Sequence, residues 1–134
     1  MAEFAFKEFA RQASCAGNFA VESAATTSEE LGNPVYPPAR RELAAHGIAC
    51  DGKTARRITR GDYARFDLIV GMDDENLYDM RRLFSGDPDR KLSRLLDWMP
   101  HPRDVADPWY TRDFAATWRD ISEGCAALLA ALAP

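Results

Sequence analysis

A chain of 134 residues with 17 Lys or Arg against 21 Asp or Glu carries a formal charge of −4, and its length suits a single domain over residues 1–134. An acidic balance excludes non-specific binding to nucleic acid or to an anionic membrane as its main task, because both need surplus cations. The apolar share of 46% and charged share of 28% are those of a globular chain, and the longest apolar run, Cys125 to Ala133, is too short for a membrane span. Glu3, Lys7 and Glu8 interrupt the first apolar stretch, which is therefore no secretory signal. Three scattered cysteines make neither a disulfide framework nor a Cys-x-x-Cys metal site. The expectation is a reduced, cytoplasmic protein without metal or cofactor.

The elements follow in chain order. Ala2, Ala5, Phe6, Phe9, Ala10 and Ala13 recur on one face of a helix, with a stop at Gly17-Asn18 after Cys15. Phe19 to Glu22 is a short strand-like run, and Ser23 to Ser28 is small and hydroxyl-rich. Gly32-Asn33-Pro34 and Pro37-Pro38 lead into a second helix over about 39–45 that ends at Gly47. Asp67 to Gly71 is the clearest strand, its Leu68-Ile69-Val70 core suited to a parallel strand covered on both faces. Asp73 opens a third helix reaching about Phe84, closed by Gly86-Asp87-Pro88. A weaker strand falls near 92–96, a Pro-rich loop spans 100–108, and Phe114, Trp118, Ile121, Cys125, Leu128, Leu129 and Leu132 stripe a last helix. Helices alternating with strands at these lengths imply an α/β fold with a small parallel sheet.

Several segments, collinear over the whole chain, resemble one family. They are Met1-Ala2-Glu3-Phe4, Val21-Glu22-Ser23-Ala24-Ala25-Thr26, Gly32-Asn33-Pro34, His46-Gly47-Ile48 and Ala55-Arg56-Arg57-Ile58-Thr59, followed by Asp62-Tyr63, Phe66-Asp67, Met72-Asp73, Asn76-Leu77 and Asp107-Pro108-Trp109-Tyr110. Together they are similar to the low-molecular-weight protein tyrosine phosphatases. The resemblance implies a three-layer α/β sandwich around a parallel sheet. It also implies that the family's first, central strand and its Cys-x-Gly-Asn-x-Cys-Arg-Ser-Pro loop belong in front of Met1. Met1 is then expected to be an internal methionine or the site of a cut, and the 134 residues alone are expected to be inactive.

The resemblance implies hydrolysis of phosphotyrosine in two steps, in which a cysteine thiolate takes the phosphoryl group and water then releases it. Amides at a helix amino end and an arginine hold the phosphoryl oxygens. The acid that protonates the leaving phenolate and later activates water corresponds to Asp107. Trp109 and Tyr110 correspond to an aromatic wall for the planar ring. Glu29, with Glu30 after it, stands where the family often carries an aromatic at the cleft mouth, and a carboxylate there would disfavour acidic peptides. Without the resemblance, Asp107-Pro108 reads as a common turn dipeptide and not as a catalytic acid.

Two cysteine runs imitate the signature. Cys50 and Arg56 have its five-residue spacing, but no buried strand precedes Cys50, no striped helix follows, and Asp51 would repel phosphate. Cys15-Ala16-Gly17-Asn18 falls at a helix end, with Val21 where an arginine is required. Cys125 reads as core. His46 reads as a helix C-terminal cap and His101 as a loop residue. The basic run from Lys53 to Arg60 reads as a solvated face, and Asp73-Asp74-Glu75 as a helix start, with a metal site as the minor alternative. Two other readings stay open beside the tyrosine phosphatase. One is a protein-arginine phosphatase of the same fold, against which Tyr110 leans. The other is a non-catalytic module that forms a homodimer through unpaired sheet edges.

Overall fold

The computed structural model describes residues 1–29 and 31–133, and of Trp109 the backbone alone. Helix α1 runs over Ala2–Gln12 and ends at Ala13. Ser14 takes the left-handed turn there at φ 59°, and Gly17 lies in a following 3₁₀ turn, Ala16–Asn18. The break therefore comes earlier than the expected Gly17-Asn18 stop. Helix α2, Pro37–Ala45, starts with two prolines in its first turn, where their missing N–H groups cost no helical bond. It closes through Gly47, at φ 75°, with Ile48 N–H donating to Leu43 O at 3.0 Å.

Strand β1 is Ile69–Gly71 and β2 is Leu92–Arg94. They pair in parallel with Ile69 opposite Leu92 and Gly71 opposite Arg94, and helix α4, Asp74–Leu83, forms the crossover. Side chains alternate along a strand. Leu68 and Val70 accordingly pack on a core built from Ala5, Phe6, Leu43, Leu95, Trp118 and Cys125, whereas Ile69 and Leu92 pack on Leu77, Met80 and Phe84. Helices thus cover both faces of the sheet, giving the α/β layering expected. At the end of β1, a Cβ on Gly71 would lie 2.9 Å from Asn76 Cβ, so only glycine lets α4 pack this closely.

The long helix α6, Phe114–Leu132, is capped by Asp113, which accepts from Ala116 N–H. It buries Trp118, Ile121, Cys125 and Leu128 against α1 and the 3₁₀ turn Leu95–Trp98. Among the described residues no helix is long and apolar enough to cross a membrane.

Three sequence expectations are corrected. Residues 19–22 join no ladder, because a strand-like run becomes a strand only beside a partner; the nearby isolated bridge is Ala25 with Arg57. The second strand ends at Arg94, where the chain tightens into the 3₁₀ turn. An additional helix, α3, spans Arg60–Arg65, its start fixed by Thr59 and Asp62 in a reciprocal cap.

The basic run 53–60 is also more than a solvated face. Lys53 Nζ lies 2.8 Å from the buried Glu3 carboxylate, and Arg56 forks onto the buried Asp62 at 3.0 and 3.3 Å. Lys7 and Ser23 complete the Glu3 cluster at 2.6 Å each. Burial alone would raise the Glu3 pKa, but these three donors outweigh it and hold the carboxyl at about 2. The cluster ties α1 to the 19–24 segment and to the chain after α2.

Candidate active site

A cavity of about 320 Å³ opens at the carboxyl end of β1, the edge at which α/β sheets carry their ligands. Met72 and Asp73 leave the strand into it, Asn76 enters from the first turn of α4, and Met1 stands at the amino end of α1. Tyr36 and Ala39 come from the start of α2, Val105 to Pro108 from the following loop, and Phe114, Thr117 and Ile121 from α6. Asp73 caps α4 by accepting from Asn76 N–H at 2.8 Å, while Asn76 Oδ1 accepts from Met72 N–H at 2.9 Å. These reciprocal bonds fix the turn that leaves the strand.

Asp107 lines this cavity. Its carbonyl accepts from Tyr110 and Thr111 N–H at 3.1 and 3.2 Å, so it stands immediately before the short helix α5, Pro108–Thr111. The residue before it, Ala106, is gripped from both sides by α6. Its N–H donates to Asp120 Oδ2 at 3.0 Å, and its carbonyl accepts from Thr117 Oγ1 at 2.9 Å. Arg103 forks onto Asp120 at 2.7 and 2.9 Å. The guanidinium holds the Asp120 carboxyl below the usual carboxylate range, against the opposing effect of burial. Val105 N–H donates to Met72 O at 2.9 Å, and Asp104 accepts from Asp74 N–H and Arg94. The loop carrying Asp107 is therefore fastened to β1, α4 and α6 at once.

Of the other expected site residues, Tyr110 and Glu29 lie away from the cavity. Tyr110 is 88% exposed and does not line the cavity. It follows Pro108 by two helical positions, about 200° around the axis, so with Pro108 facing inward Tyr110 turns to solvent. The Trp109 side chain and Glu30 lie outside the described residues. Glu29 is exposed and absent from the lining. Its segment is drawn towards the chain after α2 by Gly32 N–H to Ala55 O and Ala55 N–H to Asn33 O, both 2.8 Å. Among the described residues, Tyr36 and Phe114 form an aromatic wall of the cavity, with ring centroids 6.0 Å apart. Neither carried a site signal in sequence beyond its place at a helix start.

None of the three cysteines lines the cavity. Cys50 is buried beyond α2, and its spaced partner Arg56 is committed to Asp62, which fits the rejection of that pair as a phosphate loop. Cys15 ends α1. Cys125 is 1% exposed and burial pushes its thiol up to about 12, so it stays protonated and inert at neutral pH. Among the described residues no group of His, Cys, Asp and Glu is arranged to hold a metal ion. Chemically, the cavity offers a carboxyl group on a clamped loop, the amino end of a helix and an aromatic wall.

Known proteins of one family are similar to this chain over nearly its whole length. The family model described as "Low molecular weight phosphotyrosine protein phosphatase" matches residues 1–134. The low molecular weight protein-tyrosine-phosphatase YfkJ of Bacillus subtilis is 33% identical over 134 residues, which cover 98% of this chain and 86% of that protein. The low molecular weight phosphotyrosine protein phosphatase of Rattus norvegicus is 31% identical, with 96% and 84% covered. The crystal structure of YfkJ superposes with a TM-score of 0.94 over 98% of this chain and 84% of that one. SP-PTP of Streptococcus pyogenes, 30% identical, gives 0.87 over 99% and 83%. The chain belongs to the low-molecular-weight phosphotyrosine protein phosphatase family.

Proposed function

We propose that this domain serves the hydrolysis of phosphotyrosine in proteins through a cysteinyl-phosphate, with Asp107 as the acid that protonates the leaving phenolate and then as the base that activates water. The observation that carries this reading is the meeting of Asp107 and the amino end of α1 on one cavity at the carboxyl end of β1. A phosphoryl group placed there would have its oxygens towards the helix amides, where the dipole favours negative charge. Its ester oxygen would face the carboxyl on the loop, and the aromatic ring would lie along Tyr36 and Phe114.

The nucleophile that the family resemblance implies is a cysteine of a Cys-x-Gly-Asn-x-Cys-Arg-Ser-Pro loop. The three cysteines at positions 15, 50 and 125 are not on the cavity, so the 134 residues alone are expected to leave p-nitrophenyl phosphate intact. Joined behind such a loop, they are expected to cleave it. Asp107→Asn in that active form should lower kcat by roughly 10²–10⁴ and remove one limb of the pH profile. Turnover by the 134 residues alone, abolished by Cys50→Ser, would overturn the assignment of the nucleophile. An active form indifferent to Asp107→Asn would overturn that of the acid.

A further inference from the structure

A second cavity, of about 300 Å³, adjoins the first and is lined by Tyr36, Pro38, Pro108, Arg112 and Phe114. Tyr36, Pro108 and Phe114 line both cavities, so the two form one groove that runs from Asp107 across the aromatic wall. Among the described residues that line it, four are apolar or aromatic and Arg112 alone is charged. Among the described residues Arg112 forms no ion pair with a carboxylate. The adjacent Asp113 is committed to capping α6 through Ala116 N–H at 2.9 Å. Arg94 and Arg103, which fasten the Asp107 loop, differ in this respect: each is closed by carboxylates.

The backbone also singles out Arg112. Its φ is 56°, the left-handed region that favours glycine. Its N–H donates to Pro108 O at 2.8 Å, closing α5, immediately before the Asp113 cap opens α6. A residue pinned between two helix ends in this conformation projects from a fixed point, and this one brings a guanidinium to the end of an apolar groove that starts at the proposed phosphotyrosine site.

We propose that this second cavity is a subsite for an acidic residue flanking the phosphotyrosine, its carboxylate taken by Arg112 and its methylenes packed between Pro38, Pro108 and the Tyr36 and Phe114 rings. The inference rests on the phosphotyrosine reading of the first cavity. Neighbouring Cα atoms are about 3.8 Å apart in an extended peptide, so a side chain one or two positions away reaches an adjoining cavity. Guanidinium and carboxylate match as a fork, which selects Asp or Glu over Lys at that place. Glu29, whose carboxylate would have opposed such a peptide, lines neither cavity.

The test measures binding of fluorescein-labelled peptides to the protein by anisotropy. One phosphotyrosine peptide carries Glu on both flanks, a second carries Lys there, and a third is the unphosphorylated Glu peptide. The Glu phosphopeptide is expected to bind about threefold more tightly than the Lys one, the scale of one partly exposed ion pair, with the ratio falling as salt rises. Arg112→Glu should invert the ratio. Arg112→Gly, which suits the left-handed backbone and keeps the fold, should bring it to one. Equal binding of both phosphopeptides, or a Glu preference retained in Arg112→Glu, overturns the subsite and leaves the phosphotyrosine reading standing. Binding that ignores phosphorylation overturns the phosphotyrosine reading, and the subsite with it.

Discussion

Asp120 is the most informative single residue to perturb, because it carries two separable interactions at the root of the Asp107 loop. Replacement by Ala removes the fork to Arg103 and strands the half-buried Ala106 N–H. Arg103 is 56% exposed, so its fork contributes about 1 kcal/mol after solvent screening. An amide left without a partner costs about 1–3 kcal/mol more, and Asp120→Ala should therefore lose about 2–4 kcal/mol in all. Asp120→Asn keeps an acceptor for Ala106 and gives up only the charge, so its loss should be about 1 kcal/mol. Urea unfolding followed by tryptophan fluorescence measures both. The Asp120 pKa is depressed in the folded state, so its stabilisation is complete above the unfolded value near 3.9 and fades as pH falls through the lower folded value. The gap between wild type and Asn should accordingly close below about pH 4. Equal losses for Ala and Asn at pH 7, or an Asn deficit unchanged between pH 7 and pH 3, would refute the division into an amide and a charge contribution.

Three further outcomes follow from the packing. In Gly124→Ala the new Cβ would stand 2.6 Å from Leu95 Cγ and 3.0 Å from Leu96 Cδ2; overpacking of about 1–3 kcal/mol outweighs the roughly 1 kcal/mol gain in helix propensity, and the melting temperature should drop. Glu3→Gln should destabilise by about 2 kcal/mol at pH 7. Because the Glu3 pKa is lowered to about 2, its contribution is present above the unfolded carboxyl pKa and lost as pH falls towards 2, so acid titration of the two proteins should converge there. With a thiol-specific disulfide reagent, the half-buried Cys15 should react first, and Cys50 and Cys125, 5% and 1% exposed, only as fast as the protein unfolds.

The elements that read true in sequence are those whose signal lies within one segment. Phe114 to Leu132 carries a 3.6-residue stripe through five turns, and Leu68-Ile69-Val70 is a run only a covered strand tolerates. Helix α3 was missed because its six residues, Arg60–Arg65, show no stripe; the sole hint is the Thr59–Asp62 capping pair. The run 19–22 has the composition of a strand, but strand formation depends on a neighbour and not on composition alone. The site divides in the same way. Asp107 was legible because its loop is one continuous motif. The Tyr36–Phe114 wall joins residues 78 positions apart, and no local pattern announces that meeting. Tyr110 was misplaced because an acid-loop motif fixes residue types, whereas the helical turn of α5 fixes which of them face the cavity.

Helix α6 gives the site and the core a common origin. Thr117 and Asp120 hold Ala106, and Ile121 lines the cavity; one turn on, Gly124 and Cys125 seat the helix against Leu95 and α1, where the Cys125 thiol meets Ala2 O at 3.7 Å. Positions three and four apart share a helix face, so a shift of α6 along its axis moves the Asp107 loop and the amino end of α1 relative to each other. The carboxyl group and the helix end thus keep their separation only while the Gly124 contact keeps its register. A substitution that stabilised α6 in isolation but displaced it at Gly124 would degrade the alignment of Asp107 with any phosphoryl group bound at α1, without touching a residue of the cavity.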